Sequence, residues 1–317
     1  MTGWTGVTWD SWRDADEIRA RLDAGADPED WGFGQRPLHR ATKYGSPEVV
    51  AELARRVTDV DALEDGTTAL WEAVVSDRPG NARALVAAGA DPWRPQLGGW
   101  SPGRLALAGP VPDLFPVPDG EPGLTAAEQA AARQARQLVA DLGDFHYDNT
   151  GLACIAGIDA AEAIRRLDGT PVDGEFMADF LDDPYEHDLD DRLLLVGVTT
   201  VPGGCVVTQP WGYTPSTPGV MTRLTAGTVG YGIYANPKSG NQGRIVRDGT
   251  EEGSGLHPGG GPLPGHTHEE VFTHYLYHRR AIAYACAFAG LRPVDARAVT
   301  GPADFWIRVP DLDYWKR

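Results

Sequence analysis

A chain of 317 residues with 42% hydrophobic and 23% charged residues has the composition of a folded globular protein long enough for two domains. Its formal net charge of −17 argues against nucleic acid, whose phosphates need clustered Lys and Arg, and favours a basic partner. No apolar run approaches the ~18 residues of a membrane helix. Met1-Thr2-Gly3-Trp4 lacks the basic and apolar regions of a signal peptide. Cys154, Cys205 and Cys286 are scattered without CxxC spacing, so the expected setting is a reducing cytoplasm.

In chain order, the segment Trp12 to Pro28 offers one helix ending in Gly25-Ala26-Asp27-Pro28. That ending returns as Gly89-Ala90-Asp91-Pro92, and half the interval is a second period. Pro37-Leu38-His39 aligns with Ala69-Leu70-Trp71 and then with Pro102-Gly103-Arg104. The same registry pairs Ala41 with Ala73, Pro47 with Pro79 and Leu53 with Leu85. Pro37 and Pro47 suit the first position of helices, where a missing N–H costs nothing. Gly45 ends the first of them and Ser46 caps the second. A third unit opens at Pro102 but is interrupted. Pro37 to Val57 and Ala69 to Gly89 each span 20 residues, whereas Pro102 to Gly143 spans 41, leaving about 21 inserted. The proline-rich stretch 109–123 is the insertion, and its prolines forbid a helix. Thr125 to Glu128 is a capping box that opens a helix to about Leu142, expected to be the displaced second helix of the third unit, the alternative being an independent linker helix.

A unit of about 33 residues with these landmarks resembles an ankyrin repeat, a turn followed by two antiparallel helices. Trp71 and Arg104 stand where the family keeps the histidine seen at His39. Arg36 and Ser101 stand where it keeps the threonine seen at Thr68, so the turn hydrogen bonds must be partly substituted. The resemblance implies binding of a protein partner through turn tips and the concave face of the first helices. Carried over by position, the candidate residues are Phe33, Gln35, Lys43 and Tyr44, then Glu64, Asp65 and Thr67, then Trp100.

Beyond Asp148-Asn149-Thr150-Gly151 the pattern changes. Asp159 caps a helix that stops before Gly169. From Asp168 to Asp191 there are ten acids and no Lys or Arg, expected to form a solvated acidic loop, with a docking patch as the alternative. Strands follow at 193–201 and 205–209, joined as a hairpin at Pro202-Gly203-Gly204, then at 229–235 and 243–247. A short helix begins at Thr217-Pro218. The glycine-rich run 253–265 is expected to be a loop between sheet and last helix. It lacks the Lys of a phosphate-binding loop. Phe305 to Val309 reads as a final strand or docking segment. The segments around Gly151 to Ile155, Arg165-Arg166-Leu167, Trp211-Gly212 and Asn236 resemble an uncharacterised domain of high-GC bacteria, a resemblance that implies no activity.

The expected architecture is an N-terminal α-solenoid of about three ankyrin repeats (10–146) followed by a C-terminal α+β domain with an antiparallel sheet (147–317). His266, His268, Glu270, His274 and His278 form the candidate metal cluster, with Glu270, His274 and His278 one helical turn apart. The HExxH pattern is absent, and Thr267 to Glu270 also reads as a capping box. No catalytic residue and no cofactor is assigned. The expectation is a non-enzymatic cytoplasmic interaction scaffold with a basic protein partner, immunity- or antitoxin-like in action. The alternative is a metal-dependent enzyme or small-molecule-binding regulator with its site in the C-terminal domain.

Overall fold

The computed structural model describes residues 3–32 and 34–316. The chain forms two compact units, Met1–Ala132 with Gly261–His278, and Arg133–Gly260 with Arg279–Arg317. This differs from the expected division at residue 146. The first unit closes earlier and takes back a segment from far down the chain.

The first unit begins with α1 (Ala15–Asp23), whose Asp14 cap accepts the N–H groups of Asp16 and Glu17. Two helix pairs follow, α2 (Pro37–Tyr44) with α3 (Pro47–Ala54), and α4 (Ala69–Val75) with α5 (Pro79–Ala87). Next come α6 (Pro102–Ala106) and the first turns of α7 (Ala126–Leu142), whose remainder belongs to the second unit. Prolines 37, 47, 79 and 102 all stand in the first turn of their helices. The helices α2, α4 and α6 stack in one row, and α1, α3 and α5 in another. Ala41 and Ala73, and likewise Leu53 and Leu85, are fully buried between the rows, so residues one period apart do the same packing. Each buried leucine contributes about 1.5–3 kcal/mol of transfer free energy.

The turns repeat as faithfully as the helices. Asp27, Asp59 and Asp91 each accept the backbone N–H two residues on, at 2.8, 2.9 and 2.8 Å. Residues 107–125 hold neither helix nor strand, as the prolines require. Thr125 and Glu128 then cap α7 reciprocally. The start of α7 packs Ala131 and Ala132 against the repeat core.

The second unit carries β1 (Gly151–Ala156), α8 (Ala160–Arg166), β2 (Thr170–Pro171), α9 (Gly174–Asp182) and α10 (Leu189–Leu193). It continues with β3 (Leu195–Val201), β4 (Gly204–Gln209), α11 (Pro218–Leu224), β5 (Val229–Asn236), β6 (Gly240–Arg247) and β7 (Thr250–Leu256). Then α12 (His268–Leu276) joins the first unit, and α13 (Ala281–Phe288), α14 (Arg297–Thr300) and β8 (Phe305–Arg308) complete the second. The eight strands form one sheet in the order β2-β8-β3-β4-β1-β5-β6-β7. Every pairing is antiparallel, which makes this the expected α+β architecture.

Helices cover both faces of this sheet. Ala153 and Ile155 of β1 pack with Met221 and Leu224 of α11 and with Ala163 of α8. On the other face Cys154 meets Cys286 of α13, and the Thr208 hydroxyl donates to the Val299 carbonyl of α14. Burial on both faces explains why β1 is a continuous apolar run without alternation, and why sequence periodicity misses it. The edge strand β7 is missed for the opposite reason. Thr250-Glu251-Glu252-Gly253 carries little apolar signal and is held by β6, with Glu251 paired to Arg244 and Glu252 to Arg247.

The acidic stretch is not a loop. Asp173 accepts the N–H groups of Glu175 and Phe176 and opens α9, whose Met177 and Phe180 are buried. Asp183 and Asp188 cap the next two turns in the same way. Three of the ten acids therefore act as helix caps.

The return of α12 closes the repeat unit. Thr267 and Glu270 form its capping box, and Val271 and Phe272 enter the repeat core. The Trp100 ring stacks on Phe272 and on His268, both at 4.6 Å, and its indole N–H donates to the His268 carbonyl at 2.9 Å. Gly98 permits this approach, since a Cβ there would lie 3.1 Å from the His268 Cα. Among the described residues, no helix is long and apolar enough to cross a membrane.

Candidate binding groove

One face of α2 along its whole length and the turn before α4 bound an open groove of about 230 Å³. Gln35, Lys43 and Tyr44 line one wall and Glu64, Asp65 and Thr67 the other, so six of the eight expected contact residues come together. Asp65 and Gly66 make the tip at φ +51° and +81°, a conformation that Gly favours and Asp tolerates. The turn closes through Glu64 and Thr67, whose N–H and carbonyl groups bond reciprocally at 2.9 and 3.0 Å.

Four further lining residues were not singled out from sequence as contacts: Arg36, His39, Arg40 and Glu72. Their signal was present. Arg36, Arg40, Lys43 and Tyr44 share one helical face, and Glu72 stands one period after Arg40. The Arg40 guanidinium sits over the rings of Trp31, Trp9 and Tyr44 at 4.1, 4.6 and 5.4 Å. Trp9 itself is 60% exposed, so this cation–aromatic cluster reaches solvent. The Lys43 ammonium lies 3.9 Å from Glu72. Three cationic side chains (Arg36, Arg40, Lys43) face three carboxylates (Glu64, Asp65, Glu72), so the chain's acidity is not concentrated here.

His39 forms the buried floor. Its Nε2 lies 3.0 Å from the Thr67 carbonyl, and a carbonyl can only accept, so Nε2 carries the proton. Burial holds the imidazole below its usual range, outweighing the Thr67 carbonyl and the Glu64 and Glu72 carboxylates. Nδ1, 4.0 Å from Glu64, is buried without a hydrogen-bond partner. Arg36 stands where the repeat family places a threonine. As expected, its cap has no side-chain hydrogen bond, whereas Thr68 and Ser101 accept from Trp71 and Arg104.

Two expected contact residues are not placed in the groove. Phe33 lies outside the described residues. Trp100 is fully buried beneath α12, with Arg104 stacked on its ring at 4.4 Å, because the returning helix needs an aromatic platform there.

The histidine cluster is committed to structure. His268 lies 2.9 Å from the Gly98 carbonyl and 3.2 Å from Glu128, and His278 lies 2.7 Å from the Val75 carbonyl. His266 and His274 stack on each other at 4.5 Å, and the Thr267 backbone N–H holds the Glu270 carboxyl below its usual range. Among the described residues, no group of three His, Cys, Asp or Glu side chains is arranged to hold a metal ion. The second unit has a cleft of about 50 Å³ lined by Val139, Phe145, Tyr147 and Ile282. That is well below the roughly 300 Å³ of an ordinary small-molecule site.

Stacked helix pairs, capped turns and an open polar groove define a repeat scaffold, carried in one chain with an α+β unit. A family model described as Ankyrin repeats (3 copies) matches residues 14–96. The match covers α1 to α5 and stops at Gln96, before the interrupted third unit. Ankyrin repeats generally mediate protein–protein interaction, and a protein partner follows from their presence. No curated protein matches the chain.

Proposed function

We propose that this chain is a non-enzymatic interaction scaffold of the bacterial cytoplasm that captures a basic protein partner and occludes it, in the manner of an immunity protein or antitoxin. The observation that carries the reading is the groove. It gathers Gln35, Lys43, Tyr44, Glu64, Asp65 and Thr67 on a rigid framework of capped turns, with a solvent-reaching aromatic cluster beside it. Aromatic and Arg side chains on a rigid frame are the usual anchors of an interface. The net charge of −17 supports the choice of a basic partner, because opposite charge accelerates encounter.

Affinity capture followed by mass spectrometry tests the reading. The full chain should retain a basic protein from a lysate of its host at low salt. The triple variant Lys43→Ala, Tyr44→Ala, Asp65→Ala should lose it. Retention of nothing, or equal retention by the variant, would count decisively against the scaffold.

A further inference from the structure

Four large apolar side chains between Phe176 and Leu189 stay in water: Phe176, Leu181, Tyr185 and Leu189, at 43, 41, 57 and 51% exposure. The segment is nonetheless firmly seated. Phe180 is buried edge-on against Trp211 at 4.8 Å, and Trp211 stacks on Trp306 at 5.5 Å. The Tyr185 hydroxyl accepts from the Asn149 amide at 2.7 Å. So α9 and α10 are anchored from within while Phe176, Leu181, Tyr185 and Leu189 stay exposed.

Most carboxylates around them have no ion pair, and the cation of α10, Arg192, sits over the Tyr185 ring at 4.8 Å. Asp168 and Asp191 pair with Arg223 and Arg308 at the two ends of the stretch, and Asp173, Asp183 and Asp188 serve as caps. Glu175, Asp179, Asp182, Glu186 and Asp190 have no ion pair among the described residues. Some acids elsewhere are paired more than once. Glu52 meets Arg19, Arg55 and Arg56, and Glu162 meets Arg165 and Arg166. Five unneutralised carboxylates interleaved with four exposed apolar groups present a surface complementary to one chemistry, a segment that is both cationic and amphipathic.

We infer that the α9–α10 face is the docking surface for an amphipathic, Lys/Arg-rich segment of a protein partner. The inference rests on the scaffold reading above and assigns the selection for a basic partner to this face, since the repeat groove balances its charges. Nucleic acid is repelled by the same carboxylates.

The test uses the full chain and a labelled peptide of about 14 residues, Lys and Leu at helical spacing, against a scrambled peptide of the same composition. Fluorescence anisotropy should show binding of the amphipathic peptide. It should weaken at least about tenfold in the variant Glu175→Gln, Asp179→Asn, Asp182→Asn, Glu186→Gln, Asp190→Asn, and similarly in Phe176→Ser, Leu189→Ser. None of these side chains is buried or caps a helix, and circular dichroism checks that each variant is folded. Equal binding of the scrambled peptide reduces the effect to bulk charge and overturns the inference, as does unchanged binding in either variant. Loss of peptide binding in the groove triple variant alone also overturns it, while the scaffold reading stands. Peptide binding that survives in a chain retaining no lysate protein counts against the scaffold reading and leaves this face intact.

Discussion

The Glu64 carboxylate accepts the backbone N–H of Arg36 at 2.7 Å, from one repeat to the turn of the next. One period later the Gln96 side-chain oxygen accepts the N–H of Thr68 at 2.8 Å. The two bonds are equivalent, yet one acceptor is charged and the other neutral, so shape and not charge is the requirement. Glu64→Gln should therefore leave stability nearly unchanged. Glu64→Ala, which leaves the Arg36 N–H without its acceptor, should cost about 1–3 kcal/mol. Urea unfolding of both variants measures the difference. Equal loss in the two would show that the carboxylate charge is what matters.

Trp100 carries a larger share. Its ring is fully buried between Phe272, His268 and Arg104, and its N–H donates to the His268 carbonyl. Trp100→Ala should destabilise the first unit by about 3–5 kcal/mol through the cavity it leaves. Trp100→Phe should cost less, chiefly the hydrogen bond at about 1 kcal/mol. Hydrogen exchange should show α12 amides losing protection in the alanine variant before those of α3. Preserved protection of α12 would argue that this helix is held by something other than Trp100.

What was legible in the sequence was the part governed by local rules. Period, prolines at helix starts and glycine helix ends placed α2 to α5, because each repeat solves the same packing problem with the same residues. The hairpin β3–β4 followed from β-branched runs around Pro202-Gly203. Partnership at long range was hidden. Nothing local tells that His268–Leu276 packs on Trp100, since its apolar residues could face any neighbour. Six of the groove's ten lining residues were visible, at turn tips and at the end of α2, whereas the role of Arg40 depends on the rings of Trp9 and Trp31, which its own helix does not reveal. The acidic stretch misled because carboxylates that look solvated also make good helix caps.

The cysteines offer a check on the second core. Burial pushes the Cys205 thiol up to about 12, and contact with Cys286 together with burial raises Cys154 well above its usual range. Thiolate is the reactive form, so a native chain at pH 8 should be inert to a thiol reagent. All three cysteines, each buried, should label once the chain is unfolded in urea. Rapid labelling of the native chain would mean that the sheet and α13 open far more readily than their packing implies.

His39 makes the groove's framework pH-sensitive. In the folded chain burial depresses its pKa below the reference value of 6.5, despite the Thr67 carbonyl and the Glu64 and Glu72 carboxylates, with Arg36 acting alongside burial. The unfolded chain therefore binds a proton at higher pH than the folded one. The stabilising contribution is complete above about pH 6.5 and is lost as pH falls towards the depressed folded value. Urea midpoints of the first unit should drop between pH 7.5 and 5.5. His39→Gln keeps an N–H for the Thr67 carbonyl but has no group that titrates there, so its midpoint should fall less over the same interval. A wild-type midpoint that is flat, or that rises on acidification, would show that protonated His39 finds a welcome in the Glu64 carboxylate at 4.0 Å.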